Sequence, residues 1–109
     1  MENPAAEPGM VTVQRRWFVP SDKLEEFRRR WDEDIVPALL RQKGFIRAEL
    51  YESDVRGHWL TSIAWEDQTS RNLAFEAMAE IYNAFSHFER FAPETLTLLS
   101  SCEAKSNAK

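Results

Sequence analysis

The sequence has one cysteine, three glycines and no long apolar run, and each shortage excludes a class of function. The single cysteine, Cys102, excludes an internal disulfide and a cysteine-rich zinc site. Three glycines leave no phosphate-binding glycine loop, and neither a metal-ligand spacing nor a nucleophile elbow appears. No apolar run is long enough to span a bilayer. We therefore expect no bound metal, no membrane partner, and neither a familiar hydrolase nor a nucleotide-dependent enzyme.

The chain also lacks an excess of positive charge, with a formal net charge of −4. Its one basic cluster, RRR at residues 28–30, lies among acidic residues on a predicted helix, which is typical of a solvated face with salt bridges. Nucleic-acid binding usually requires a net basic surface, so we expect no nucleic-acid partner. The first ten residues, MENPAAEPGM, lack the basic and apolar regions of a signal peptide. A cytoplasmic protein is the resulting expectation.

What the sequence does contain is a clear alternation of strand and helix patterns. The predicted elements are a strand over residues 11–19, a helix over 21–44, strands over 45–53 and 58–66, a helix from about 67–70 to 91, and a strand over 95–104. The order β-α-β-β-α-β predicts an α+β, ferredoxin-like fold, with a four-stranded antiparallel sheet and two helices on one face. We expect one domain over residues 11–104, a flexible tail at 1–10 and a frayed tail at 105–109.

The first helix carries its own start, interruption and stop signals. Asp22 with Glu25 resembles a capping box at its beginning. Pro37 removes a backbone donor and is expected to kink or split the helix near residues 33–36. Gly44 suits the left-handed residue that closes a helix.

Both faces of the predicted sheet receive large apolar side chains, although two helices can cover only one face. Phe18, Leu50, Leu60 and Leu98 share one sequence parity, and Trp17, Tyr51, Ile63 and Leu99 share the other. An uncovered apolar patch of this kind marks an interface. We therefore expect a homodimer in which the two sheets pack face to face.

Two features of the strands point to a binding site. Side chains alternate along a strand, so the third strand places Thr61, Ile63 and Trp65 on one face. In the first strand Arg15 lies in the middle of an otherwise apolar face, where a guanidinium requires a carboxylate, a phosphate or an anionic ligand. An internal ion pair, for example with Glu49, is the alternative to ligand contact.

The sequence resembles the antibiotic biosynthesis monooxygenase family of dimeric α+β barrels over roughly residues 11–104. The resemblance rests on WFVPSDKLEEF, ALLRQKGFIRAELYES, AWED at the end of the third strand, and SHFERF near the end of the second helix. It implies a ligand pocket between the sheet and the helices. Members of the family include cofactor-independent oxygenases of polyketide quinones and quinols, and haem-degrading monooxygenases.

The resemblance transfers only part of each catalytic residue set. Trp65 matches the tryptophan that lies at the substrate in the polyketide branch, but Thr61 stands where that branch tends to have an asparagine. The haem-degrading branch uses an asparagine where this chain has Arg15 and a tryptophan near Ala74. His87 loosely matches its helix histidine. Because the residue set of the haem-degrading branch is incomplete, we expect no cofactor, with haem as the alternative.

The sequence thus predicts a pocket for a small aromatic or polycyclic ligand. The candidate catalytic residues are Arg15, Trp65 and His87, with Arg15 stabilising a substrate anion and His87 accepting a proton. The candidate substrate contacts are Trp17, Trp31, Thr61, Ile63, Met78 and Tyr82. The alternative to a catalytic role for Trp65 and His87 is that both side chains only pack against their neighbours. The predicted function is cofactor-independent oxidation of a quinol-type substrate. A non-catalytic binding or accessory protein and a polyketide cyclase or isomerase are the alternatives.

Overall fold

The computed structural model describes residues 9–88 and 92–104. Within these ranges, four strands lie at Val11–Phe18 (β1), Phe45–Glu52 (β2), His58–Trp65 (β3) and Glu94–Thr97 (β4). Four short α-helices lie at Leu24–Arg30 (α1), Val36–Leu40 (α2), Gln68–Ala77 (α3) and Ala79–Phe85 (α4). Most of the predicted N-terminal tail (1–8), the end of the predicted second helix (89–91) and the predicted C-terminal tail (105–109) lie outside the described residues.

The strands form one antiparallel sheet in the order β2-β3-β1-β4. β1 pairs with β3 along its whole length, which places Arg15 opposite Thr61 and Trp17 opposite Trp59. The helices bury one face of this sheet. The predicted ferredoxin-like α+β fold with a four-stranded antiparallel sheet is therefore confirmed.

The core lies between that face of the sheet and the helices. β1 alternates buried with half-buried or exposed residues, as expected for a strand covered on one side. Its buried residues meet the apolar stripes of the helices, in which the largest buried side chains are Phe27, Trp31, Ile35, Leu39, Met78, Phe85 and Phe88. Trp17 lies at the centre, with its ring 6.0 Å from that of Phe27 and 5.4 Å from that of Phe85.

The first helical region is interrupted where Pro37 predicts it. A 3-10 turn at Ser21–Lys23 leads into α1, and a π-helical turn at Trp31–Ile35 separates α1 from α2. The backbone N–H of Val36 donates to the carbonyl of Trp31, five residues back. A proline one residue later cannot supply the regular helical donor, so a wider turn at this position follows.

Two predicted ends of the first helix are wrong. No side chain caps the 3-10 turn or α1, because the turn already begins at Ser21 and Asp22 lies inside it rather than before it. The region ends at Leu40 rather than near residue 44. Gly44 does adopt the left-handed conformation, with φ of 84°, but it leads into β2. A Cβ atom at this position would overlap the side chain of Ser70.

The second helical region consists of α3, α4 and a 3-10 turn at Ser86–Phe88. It begins where the sequence predicts, because the carboxylate of Asp67 accepts the backbone N–H of Ser70 at 2.8 Å. This hydrogen bond lowers the pKa of the Asp67 carboxyl. Met78, with φ of −105° and ψ of 14°, divides α3 from α4.

The uncovered face of the sheet is mixed in character. Register places Leu50 opposite Thr61 on the helix-covered face and Tyr51 opposite Leu60 on the uncovered face, so the predicted grouping of Leu50 with Leu60 is wrong. The grouping by sequence parity fails because pairing register, rather than residue number, decides which residues share a face. β4 ends at Thr97 rather than at residue 104, although the Leu98 N–H still donates to the Met10 carbonyl at 2.8 Å.

Candidate functional site

Arg15 lies in the middle of β1, on the face that the helices cover, and is 5 % exposed. Its guanidinium carbon lies 4.5 Å from the ring centre of Tyr82 and 5.7 Å from that of Phe75. Aromatic faces stabilise a cation electrostatically, and more strongly when water is excluded. The fold therefore holds a permanent positive charge against two aromatic rings beneath the helices.

The suggested ion pair between Arg15 and Glu49 is wrong. Arg15 lies opposite Thr61 in β3, so these two side chains share a face. Glu49 lies opposite Ser62, the next residue along β3. Successive strand residues point to opposite faces, so the Glu49 side chain is on the uncovered side of the sheet. Its carboxylate accepts the Nε–H of Arg47 at 3.0 Å.

A second arginine continues the alternation of charge and aromatic ring. Phe75 and Tyr82 stack with ring centres 6.4 Å apart and an interplanar angle of 24°. Arg71, one helical turn before Phe75 on α3, has its guanidinium carbon 5.0 Å from the Phe75 ring centre. Burial raises the pKa of the Tyr82 hydroxyl, and the charges of Arg15 and Arg71 oppose part of that rise. Tyr82 is therefore neutral near pH 7, where its hydroxyl can donate a hydrogen bond.

These residues enclose a small cavity between the sheet and the second helical region, which we call the Arg15 pocket. Its volume is about 10 Å³, and its described lining residues are Val13, Arg15, Ile63, Trp65, Arg71, Phe75 and Tyr82. This is room for about one water molecule. The Phe75 side chain, 41 % exposed, forms the outer wall. In this conformation the pocket is too small for an organic ligand.

Trp65 forms one inner wall of the Arg15 pocket. It is the last residue of β3, is buried, and lies opposite Val11 and Phe45 in the sheet. Its ring meets that of Phe45 edge-on at 5.7 Å. Four predicted site residues, Arg15, Ile63, Trp65 and Tyr82, are thus brought together in one place.

The other predicted contacts occupy the core instead. The indole N–H of Trp17 donates to the Thr61 hydroxyl at 3.0 Å in a buried hydrogen bond. Trp31 and Met78 are buried in the same apolar cluster as Trp17. Among the described residues, none of these four lines the Arg15 pocket.

His87 lies on the surface, in the 3-10 turn after α4. Its ring centre is 3.9 Å from that of Phe88. It is not among the described residues that line the Arg15 pocket. The structure therefore does not bring His87 together with Arg15.

Sequence reasoning missed Arg71 and Phe75. Phe75 falls outside the main apolar stripe of the second helix, so the pattern predicts an exposed side chain there. The available signal was the spacing of Arg71, Phe75 and Tyr82, at i, i+4 and i+11, which places the three side chains on one face of the predicted helix. Combined with the unexplained arginine in β1, this spacing would have predicted a cation-aromatic stack.

The described residues offer few side chains that could bind a metal ion or haem iron. There, no group of three or more His, Cys, Asp or Glu residues could hold a metal ion. The described lining of the Arg15 pocket contains no histidine or cysteine that could ligate haem iron. The described helices include none long and apolar enough to cross a membrane.

Comparison with known proteins gives one family. The family model described as "Antibiotic biosynthesis monooxygenase" matches residues 10–92. No curated protein matches the sequence.

Several solved structures share the fold at low identity. A substituted form of SnoaB, a cofactor-independent oxygenase from Streptomyces nogalater, is 19 % identical, with a TM-score of 0.65 over 84 % of this chain and 95 % of that one. A protein of unknown function and possible oxidoreductase from Bacteroides thetaiotaomicron is 14 % identical, with a TM-score of 0.71 over 84 % and 100 %. A conserved protein from Methanosarcina mazei is 17 % identical, with a TM-score of 0.69 over 84 % and 93 %.

Proposed function

The chain belongs to the antibiotic biosynthesis monooxygenase family, and from this premise we propose that it oxidises a small aromatic compound in the Arg15 pocket, using dioxygen and no cofactor. The observation that carries the proposal is the buried guanidinium of Arg15 against the rings of Tyr82 and Phe75. A fixed positive charge among aromatic walls is suited to a flat aromatic anion, such as a hydroxyanthrone or quinol anion.

Arg15 stabilises that anion. A preorganised positive charge in a site with little water acts more strongly than the same charge in solution. The bound anion is electron-rich and donates electrons to dioxygen. For an anthrone bound as its ring-carbon anion, one hydrogen remains on that carbon. The carbon becomes a carbonyl, one atom of dioxygen enters the product, and the other leaves as hydroxide with the remaining hydrogen; the proton lost before binding converts it to water in solution. The substrate therefore supplies all the electrons.

The substrate must lose its acidic proton before it binds to the Arg15 pocket. Among the described residues, the Arg15 pocket has no carboxylate or imidazole in its lining. Tyr82 has a raised pKa and is a proton donor rather than a base near neutral pH. We infer that the pocket selects a phenol or quinol that is already ionised, and that His87 is not its proton acceptor.

Binding requires the pocket to open. Ligand pockets usually have volumes of about 300–1,000 Å³, whereas the Arg15 pocket has about 10 Å³. Phe75 is the half-exposed wall, so its rotation toward solvent opens the pocket at the least cost in buried area. The substrate ring then replaces the Phe75 ring between Arg15 and Arg71.

The test of the proposed function is turnover of a hydroxyanthrone under air and under argon. We expect one carbonyl product, consumption of one dioxygen per product, and no turnover under argon. Equal turnover without dioxygen would reject the oxygenase and favour a polyketide cyclase or isomerase on the same fold.

A ligand-binding protein without turnover is the second candidate. It is favoured by the lack of an acid or base among the described lining residues. Saturable binding of the hydroxyanthrone anion with no product under air would support this candidate.

We also propose that the protein is a homodimer joined through the uncovered face of the sheet. That face carries Phe18, Tyr51, Leu60 and Leu96, of which Tyr51 and Leu96 are exposed. A groove of about 500 Å³ beside β4 adds the half-buried Leu98 and the exposed Leu99 to the apolar surface.

Sedimentation of the Leu60→Asp variant tests the dimer. We expect a dimer mass for the wild type and a monomer mass for this variant. Leu73→Asp, at an exposed position on α3, is the matched control and should remain dimeric. A monomer mass for the wild type at micromolar concentration would refute the proposal.

A further inference from the structure

A second cavity lies at the end of the sheet where β1 ends and the β2–β3 turn begins. Its volume is about 490 Å³, within the usual range for small-molecule sites. Its described lining residues are Phe18, Val19, Pro20, Ser21, Leu24, Glu52, Ser53, Arg56, Gly57 and Trp59. It shares none of these with the described lining of the Arg15 pocket. We call it the hairpin cavity.

The apolar wall of the hairpin cavity is held in place from behind. The Trp59 ring centre lies 5.8 Å from that of the buried Phe27, and the Phe18 ring meets His58 edge-on at 5.8 Å. A Cβ atom on Gly57, whose φ is 81°, would lie 2.8 Å from a Phe18 ring carbon, so any other residue at this position would force the Phe18 ring to shift. The surface offered to a ligand is therefore aromatic and largely preformed.

The polar rim carries one cation and two hydroxyls. Within the described residues, the guanidinium of Arg56 has no ion pair or hydrogen bond to another residue. The Ser53 oxygen accepts the Val55 N–H at 2.9 Å, which leaves its own hydroxyl hydrogen able to donate. Ser21 adds a second hydroxyl, and Glu52 adds one negative charge.

We propose that the hairpin cavity is a second binding site, for a small planar aromatic monocarboxylate. The aromatic body lies between Trp59 and Leu24, and the carboxylate meets Arg56, whose planar donors match it in a bidentate pair. Glu52 on the same rim repels a second negative charge, so a monoanion is favoured over a dianion. This site does not depend on the oxidation proposed for the Arg15 pocket.

Titration with naphthoate, followed by amide chemical shifts of the full chain, tests the site. We expect saturable shifts in the β2–β3 turn and at Leu24, and much weaker binding of neutral naphthalenemethanol. Arg56→Gln should weaken naphthoate binding about tenfold or more, because it removes a charge-assisted hydrogen-bond pair. Leu24→Trp, which fills the cavity, should abolish it.

Two controls separate this site from others. Arg41→Gln, at an exposed arginine in the turn after α2, should leave the affinity unchanged. Arg15→Met should also leave it unchanged, so failure of the oxygenase proposal would not affect this result. No saturable shift at millimolar naphthoate, equal affinity in Arg56→Gln, or shifts confined to the Arg15 pocket would each overturn the proposal.

Discussion

Replacing Arg15 with methionine separates the role of its charge from the role of its bulk. Methionine keeps a long flexible side chain in the core but removes the guanidinium that faces Tyr82 and Phe75. If Arg15 binds a substrate anion, this variant folds but loses affinity and turnover.

The magnitude follows from the surroundings of the charge. A hydrogen bond to a charged group contributes about 1.5–3 kcal/mol, which is a loss of about 10- to 150-fold in affinity. For stability, two cation-π contacts contribute roughly 0.5–2 kcal/mol each. Removing the guanidinium also removes the cost of keeping an ion buried, which offsets part of these losses. We expect Arg15→Met to remain folded and to unfold cooperatively in urea, because methionine keeps a long apolar side chain in the core.

Two measurements on the same samples check this prediction: titration of the hydroxyanthrone anion under argon, and urea unfolding. Arg16→Met is the matched control, because Arg16 is the next residue along β1 and is exposed on the opposite face. Unchanged affinity in Arg15→Met, or an equal loss in Arg16→Met, would refute a ligand role for Arg15. A large loss of stability with unchanged affinity would assign Arg15 to structure alone.

Three further substitutions follow from the same contacts. Phe75→Ala should open the Arg15 pocket and speed ligand association in stopped-flow measurements, while Leu73→Ala on the same helix should not; equal rates would contradict a gating role. Thr61→Val should destabilise the fold by about 1–3 kcal/mol in urea unfolding, because the buried Trp17 N–H loses its acceptor, and no change would mean that this hydrogen bond contributes nothing net. Asp67→Ala should lower the melting temperature near neutral pH, because α3 loses its cap. Since the pKa of that carboxyl is lowered in the folded state, its stabilisation is present above the unfolded pKa and is lost as pH falls through the folded one; a deficit that persists in acid would contradict this assignment.

The sequence predicted the sheet and the floor of the Arg15 pocket because both depend on short-range alternation. Two-residue periodicity placed Arg15, Ile63 and Trp65 on buried faces, and the order of strands and helices then brought those faces under one helical region. Pro37 located the helix interruption for an equally local reason, the missing backbone donor.

The misses arise from interactions that alternation does not encode. An apolar stripe on a helix predicts which side chains are buried, but not whether they line a pocket. Trp31 and Met78 fit the stripe and lie in the core. His87 lies between the buried Phe85 and Phe88, and that three-residue spacing turns the intervening side chain outward. Which face Leu50 joined depended on the pairing register between β2 and β3, a property of two strands together.

The division of the second helical region at Met78 places two walls of the Arg15 pocket on different helices, so residues of one wall can be substituted independently of the other. Phe75 and Arg71 belong to α3 and form the outer, partly exposed part of the pocket, whereas Tyr82 belongs to α4, which is anchored in the core by Phe85. Substitutions on the α3 side can therefore change which molecules enter without disturbing the packing that keeps the protein folded. A library of variants at positions 71 and 75 alone should therefore change the ligand selectivity of the Arg15 pocket while leaving the stability of the fold largely unchanged.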